Sequence, residues 1–151
     1  MVAALRQAGF DVVGTDITRG VDFLKTDAVP DGVVALVTNP PYGLAQEFIE
    51  HALSLDEIRI TAMLLRVDYD SAATRQHLFA RCPMFAKKVV LTKRIRWIEG
   101  STGSPSYNHA FFVWDREWRG PPVIAYAGDA QGGVPKADVI AARPMPISLS
   151  E

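Results

Sequence analysis

Solid apolar runs and amphipathic runs alternate along most of this chain. "DVVGTDI" (11–17) predicts a short strand, "PDGVVALVTN" (30–39) a turn followed by a continuous apolar strand, and "RITAMLLRV" (59–67) another buried strand, the pattern of a sheet covered on both faces. Between them, "LAQEFIEHALSL" (44–55) places Leu44, Phe48, Ala52 and Leu55 on one face and Glu47 and Glu50 on another, which is helical spacing. Residues 2–9 predict a helix closed by Gly9, and "SAATRQHLFARC" (71–82) predicts a helix capped by Asp70 or Ser71. "AKKVVLTKRIRWI" (86–98) predicts a long strand, and "HAFFVWD" (109–115) its hairpin partner. "PVIAYAG" (122–128) predicts a last strand.

Strand and helix in alternation predict an α/β fold, mostly parallel, with an antiparallel closing hairpin. Residues 1–128 form one expected domain, and residues 129–151, rich in Gly, Pro and Ala, an expected loose tail. The length of 151 residues, 48% of them hydrophobic, suits one domain with a substantial core. A net charge of −1 excludes a general basic field, so any nucleic-acid contact must come from a local patch. One cysteine, Cys82, excludes an intrachain disulfide and fits a reducing, cytoplasmic setting. No apolar run is long enough for a membrane span. The three histidines and the cysteine show no ligand spacing, so no metal site is expected.

The candidate chemistry lies in "NPPY", Asn39 to Tyr42, at the end of an apolar strand. Parallel α/β sheets carry their chemistry at the carboxyl ends of strands. Proline has no N–H and forces the preceding residue into extended geometry, so Asn39 and Pro40 become fixed acceptors. Two acceptors beside the flat face of Tyr42 suit a planar molecule bearing an amino group. Gripping both N–H bonds frees the nitrogen lone pair, and the grip tightens as positive charge develops. The bland alternative is a Pro-Pro turn with a packed tyrosine.

A strand followed by NPPY and then a helix resembles the class I S-adenosylmethionine-dependent methyltransferases that act on amino groups, above all the adenine-N6 DNA methyltransferases, whose hallmark is [DNS]-P-P-[YFW]. The resemblance covers roughly residues 1–115. It implies a Rossmann-like sheet, with Asn39, Pro40 and Tyr42 catalytic and Pro41 and Tyr42 against the substrate. It also implies that Asp16, with Ile17 beside it, binds the cofactor's ribose hydroxyls. Asp22 would accept from its adenine amine, with Asp27 a second candidate in that loop. Phe23 would pack near the adenine ring, and Asn39 would face the cofactor as well as the acceptor. Read alone, Asp16 and Asp22 are two loop carboxylates. Including "KRIRWIEG…SYNHAFFVWD", the chain resembles small phage and prophage enzymes without a separate target-recognition domain.

The family's opening strand and glycine-rich F-x-G-x-G loop do not occur in the chain. The expectation is a sheet lacking its first strand, with Met1 internal to a longer frame, or a homodimer or partner chain completing the sheet. DNA is the expected partner and RNA the alternative. Lys93, Arg94 and Trp97 form the candidate basic-aromatic patch, with Lys87, Lys88 and Arg96 nearby; a solvated edge strand would carry the same residues. The rival activities are methylation of RNA bases or protein glutamine, and a non-catalytic or decayed module is the rival from outside the enzymes.

Overall fold

The structure is a computed structural model that describes residues 1–95 and 107–127. Helix α1 (Val2–Gln7) is followed by an irregular segment, then strand β1 (Ala35–Thr38), helix α2 (Ala45–Ser54), and strands β2 (Ile60–Arg66), β3 (Phe85–Leu91), β4 (His109–Asp115) and β5 (Val123–Ala127). The five strands form one open sheet in the order β1-β2-β4-β3-β5. β1 lies parallel to β2 and β3 parallel to β5, while β4 runs antiparallel to both β2 and β3. Four strands therefore point one way, and β4 returns between β2 and β3. The α/β class and the closing hairpin agree with the sequence pattern.

Most apolar runs fold as their composition requires. "ALVT" and "ITAMLLR" pair in register from Ala35–Ile60 to Thr38–Met63. β4 is paired on both sides, and its Ala110, Phe112 and Trp114 are buried. Phe79, Phe85, Phe112 and Trp114 form an aromatic cluster with centroids 5.1 to 6.3 Å apart. The Trp114 indole N–H donates to the Leu78 carbonyl at 2.7 Å, so its polar atom is satisfied inside the core. Gly32, at φ 79°, takes the left-handed position in the turn where Val33 N–H donates to the Pro30 carbonyl, aiming the chain into β1.

Three expectations need correction. Residues 11–16 contain no strand; Asp16 instead caps a short 3₁₀ turn at Ile17–Arg19. Val13 is 58% exposed, so its apolar stretch has no sheet neighbour to bury it. The helix expected at 71–82 is two 3₁₀ turns, Tyr69–Ser71 and Ala73–Leu78. The expected cap Asp70 is spent on Lys88, and Arg75 binds the Tyr69 carbonyl while lying 4.1 Å over its ring. These tertiary contacts outweigh a weak helical preference. The long strand from 86 starts one residue earlier and stops at Leu91. Its 96–98 end, the loop at 101–106 and the tail at 129–151 lie outside the described residues.

In α2 the buried residues are Ala45, Ile49 and Ala52, with Phe48 half-buried and Leu44 43% exposed. Of the expected face Ala52 and Leu55 are buried, Phe48 partly so and Leu44 exposed, and Ile49 joins the stripe. The carboxyl end of α2 is held by Arg116, which donates to the carbonyls of Leu53, Leu55 and Ile58 at 2.7, 3.2 and 2.8 Å. A cation there satisfies helix-end acceptors and opposes the helix dipole. Arg116→Ala should lower stability by about 2 kcal/mol, because hydrogen bonds from a charged donor are worth about 1.5–3 kcal/mol. Arg116→Lys, whose point charge cannot span three carbonyls, should recover only part of it. Urea titration of the three proteins measures this.

Candidate active site at the end of β1

β1 ends at Thr38, and the next four residues turn outward at the carboxyl end of the parallel pair. Pro40 is buried, which anchors the turn, while Asn39, Pro41 and Tyr42 are exposed. Pro41, at φ −55° and ψ 131°, leads into the 3₁₀ turn Tyr42–Leu44, and its carbonyl accepts from Leu44 N–H at 2.9 Å. That bond occupies one lone pair of the Pro41 carbonyl, and no hydrogen bond among the described residues engages the Asn39 side chain. Asn39, Pro40, Pro41 and Tyr42 line a cleft of about 320 Å³, at the small end of the range for ligand sites.

Tyr42 is 52% exposed, yet its ring is tethered. Its hydroxyl lies 2.8 Å from Nε2 of His109, and the two rings are near-parallel at 24°. His109 opens β4, is 2% exposed, and sits opposite Arg66 in the strand register. Burial pushes its pKa below the ordinary 6.5; the charge of Arg66 adds to this, and a hydrogen bond with the Tyr107 backbone opposes it. In the neutral tautomer that carries its proton on Nδ1, His109 accepts at Nε2 from the Tyr42 hydroxyl. This histidine has no ligand spacing in the chain, and the contact joins residues 67 apart. The one local signal is a histidine at the head of a continuous apolar strand.

A stability consequence follows from that shift. Unfolded His109 takes up a proton as pH falls through about 6.5, while the folded form resists until lower pH. Stability is therefore full above that value and declines as pH falls through 6.5 toward the folded pKa. The difference in urea stability between the wild type and His109→Gln should shrink over that interval and level off below it. A constant difference from pH 8 to pH 5 would contradict the burial argument.

The other expected site residues divide. Asp16 accepts from the Thr18 hydroxyl at 2.6 Å and from its N–H at 2.8 Å, both through Oδ1. Those bonds, the hydroxyl's first, hold its pKa below the usual carboxylate value. Ile17 is 70% exposed beside it. Asp22 caps the 3₁₀ turn Phe23–Lys25 through Leu24 N–H at 3.2 Å and pairs with Lys25 at 3.0 Å, and the Lys25 hydrogen bond is the main cause of its lowered pKa. The Phe23 ring packs on Phe48 and His51 of α2, with centroids 5.1 and 4.8 Å away. His51 also reaches the Thr26 carbonyl at 3.0 Å, so the Asp22–Thr26 segment is fastened to the helix that follows NPPY.

Part of the candidate basic patch falls among the described residues. Arg94 Nε donates to the Asn108 side-chain oxygen at 2.9 Å, beside the start of β4. Lys93 follows the end of β3 and is exposed, while Trp97 lies outside the described residues. Lys88 is turned away from any such patch: it pairs with Asp70 at 2.8 Å and lies 5.1 Å over the Phe112 ring. Among the described residues no group of three or more His, Cys, Asp or Glu is placed to hold a metal ion, and no helix is long and apolar enough to cross a membrane. No family model, curated protein or solved structure matches this chain.

Proposed function

We propose that this chain is an S-adenosylmethionine-dependent methyltransferase acting on an exocyclic amino group, with adenine N6 in DNA the favoured acceptor. The observation that carries the reading is the cleft at the carboxyl end of β1, lined by Asn39, Pro40, Pro41 and Tyr42. Its acceptors come from an amide and a proline carbonyl, which do not ionise and so grip an amino group without taking its proton. The half-exposed Tyr42 ring offers a stacking face, and its hydroxyl bond to His109 fixes the plane of that face. A sheet whose strands are mostly aligned, with an antiparallel hairpin folded back into it, supports the Rossmann-like form of the reading.

The cofactor, when bound, supplies a sulfonium-activated methyl group. Asp16 fits its ribose, because both hydrogen bonds from Thr18 fall on Oδ1 and leave Oδ2 as an acceptor. Asp22 fits its adenine amine in chemistry, though Lys25 competes for the carboxylate. Phe23 fits less well, since its ring is already packed on α2. During transfer the protein's work is positioning: Asn39 and Pro40 hold the amino group and Tyr42 holds the ring. The developing positive charge then meets preorganised acceptors. An adenine in duplex DNA would have to leave the stack to reach this cleft.

Incubating the chain with methyl-labelled S-adenosylmethionine and, separately, adenine-containing DNA, RNA and a glutamine-bearing protein tests the reading. Label in DNA, released as N6-methyladenine on digestion, is the expected result. Label in RNA or protein alone would move the acceptor, and no label in any of them would argue for a non-catalytic module.

A further inference from the structure

The Tyr42–His109 contact leads from the NPPY cleft to a second cavity. His109 pairs in register with Arg66, and Arg66, Val67, Asp68, Tyr107 and Asn108 line a cavity of about 210 Å³. Val67 N–H donates to the Asn108 carbonyl at 3.0 Å, prolonging the β2–β4 pairing by one step. The lining side chains include a ring, a cation, a carboxylate and an amide. The Arg66 guanidinium lies 4.4 Å from the Tyr107 ring centroid, and Tyr107 is 51% exposed. Asp68 takes Arg66 Nε at 3.2 Å and Nη2 at 3.0 Å, which fixes the guanidinium plane and leaves Nη1 outside the pair. Arg94 joins the rim through the Asn108 side chain.

A half-exposed aromatic ring with one arginine against it, and a second arginine bonded to the neighbouring Asn108, is a combination that holds a base by its face and a phosphate by its charge. An exposed Arg–Asp pair contributes little to stability, so folding alone does not account for the arrangement. We propose that this cavity binds the nucleotide adjoining the target base in single-stranded or locally opened DNA, with its base on Tyr107 and its phosphate against Arg66 and Arg94. The identity of the polymer rests on the methyl-transfer reading of the neighbouring cleft. Asp68 opposes the phosphate, and phosphate contact therefore falls to Nη1 of Arg66 rather than to the edge facing Asp68.

The test is fluorescence anisotropy of a labelled single-stranded adenine-containing DNA oligonucleotide with the wild type, Tyr107→Ala, Tyr107→Phe and Arg66→Gln, each checked for an unchanged circular dichroism melt. Tyr107→Ala should weaken binding by about tenfold, as loss of one stacking platform does, and Tyr107→Phe should bind almost as the wild type. Arg66→Gln should flatten the slope of log affinity against log salt by about 0.7, one phosphate contact on a single strand. Wild-type affinity indifferent to Tyr107→Ala and Arg66→Gln, or no wild-type binding, would overturn the proposal. The two readings fail separately. Binding that depends on Tyr107 and Arg66 in a chain that transfers no methyl group would keep this cavity and overturn the NPPY reading. Methyl transfer with binding indifferent to both residues would do the reverse.

Discussion

Asn39→Ala should lower methyl transfer by at least about a hundredfold while leaving the melting temperature close to that of the wild type. Asn39 is exposed, and the described residues give its side chain no hydrogen bond, so folding does not depend on it. Exposed substitutions of this kind stay within about 0.5 kcal/mol. In the proposed reaction the same side-chain oxygen is one of two acceptors aimed at the reacting nitrogen, and deleting one such preorganised group costs about 10² to 10³ in rate. Asn39→Asp keeps an acceptor at the same place and should retain much of the activity, in line with the [DNS] position of the motif. Initial rates with labelled cofactor, paired with thermal melts, give both numbers. Undiminished turnover in Asn39→Ala would remove NPPY from the mechanism.

Trp114→Ala should have the opposite signature, a collapse of stability. Trp114 is 1% exposed and packs against Phe79 and Phe85, and its N–H is committed to the Leu78 carbonyl. Replacing a buried aromatic by alanine costs about 3–5 kcal/mol, against a total of about 5–15 kcal/mol for a typical domain. Much of the variant should be unfolded at physiological temperature. Trp114→Phe keeps the ring but orphans the Leu78 carbonyl, and should cost about 1–3 kcal/mol. Urea unfolding followed by far-UV circular dichroism orders the three proteins. A Trp114→Ala midpoint equal to the wild type's would contradict the placement of β4 at the centre of the core.

The parts of the fold that were legible in the sequence are those where composition leaves one option. "ITAMLLR" and "HAFFVWD" are too apolar to be anything but covered strands, and β4 begins and ends where its pattern does. NPPY was legible because two prolines after a strand need a local reason. What stayed hidden depended on partners distant in sequence. Residues 71–82 have helical composition, but Lys88 takes their cap and Arg75 ties them to Tyr69. "DVVGTDI" is apolar enough for a strand but has no neighbour to pair with in this sheet. His109 reads as one more histidine until the fold brings Tyr42 to it across 67 residues. The Arg66–Tyr107 cavity was hidden for the same reason, since its two walls come from β2 and from the approach to β4.

Calorimetric titration of the 151-residue chain with S-adenosylmethionine tests the central claim most directly, because it does not depend on guessing the acceptor. Saturable binding in the micromolar range, weakened in Asp16→Ala, is the result predicted from the roles proposed for Asp16, Asp22 and NPPY. No heat of binding at millimolar cofactor would contradict a methyltransferase site in this chain.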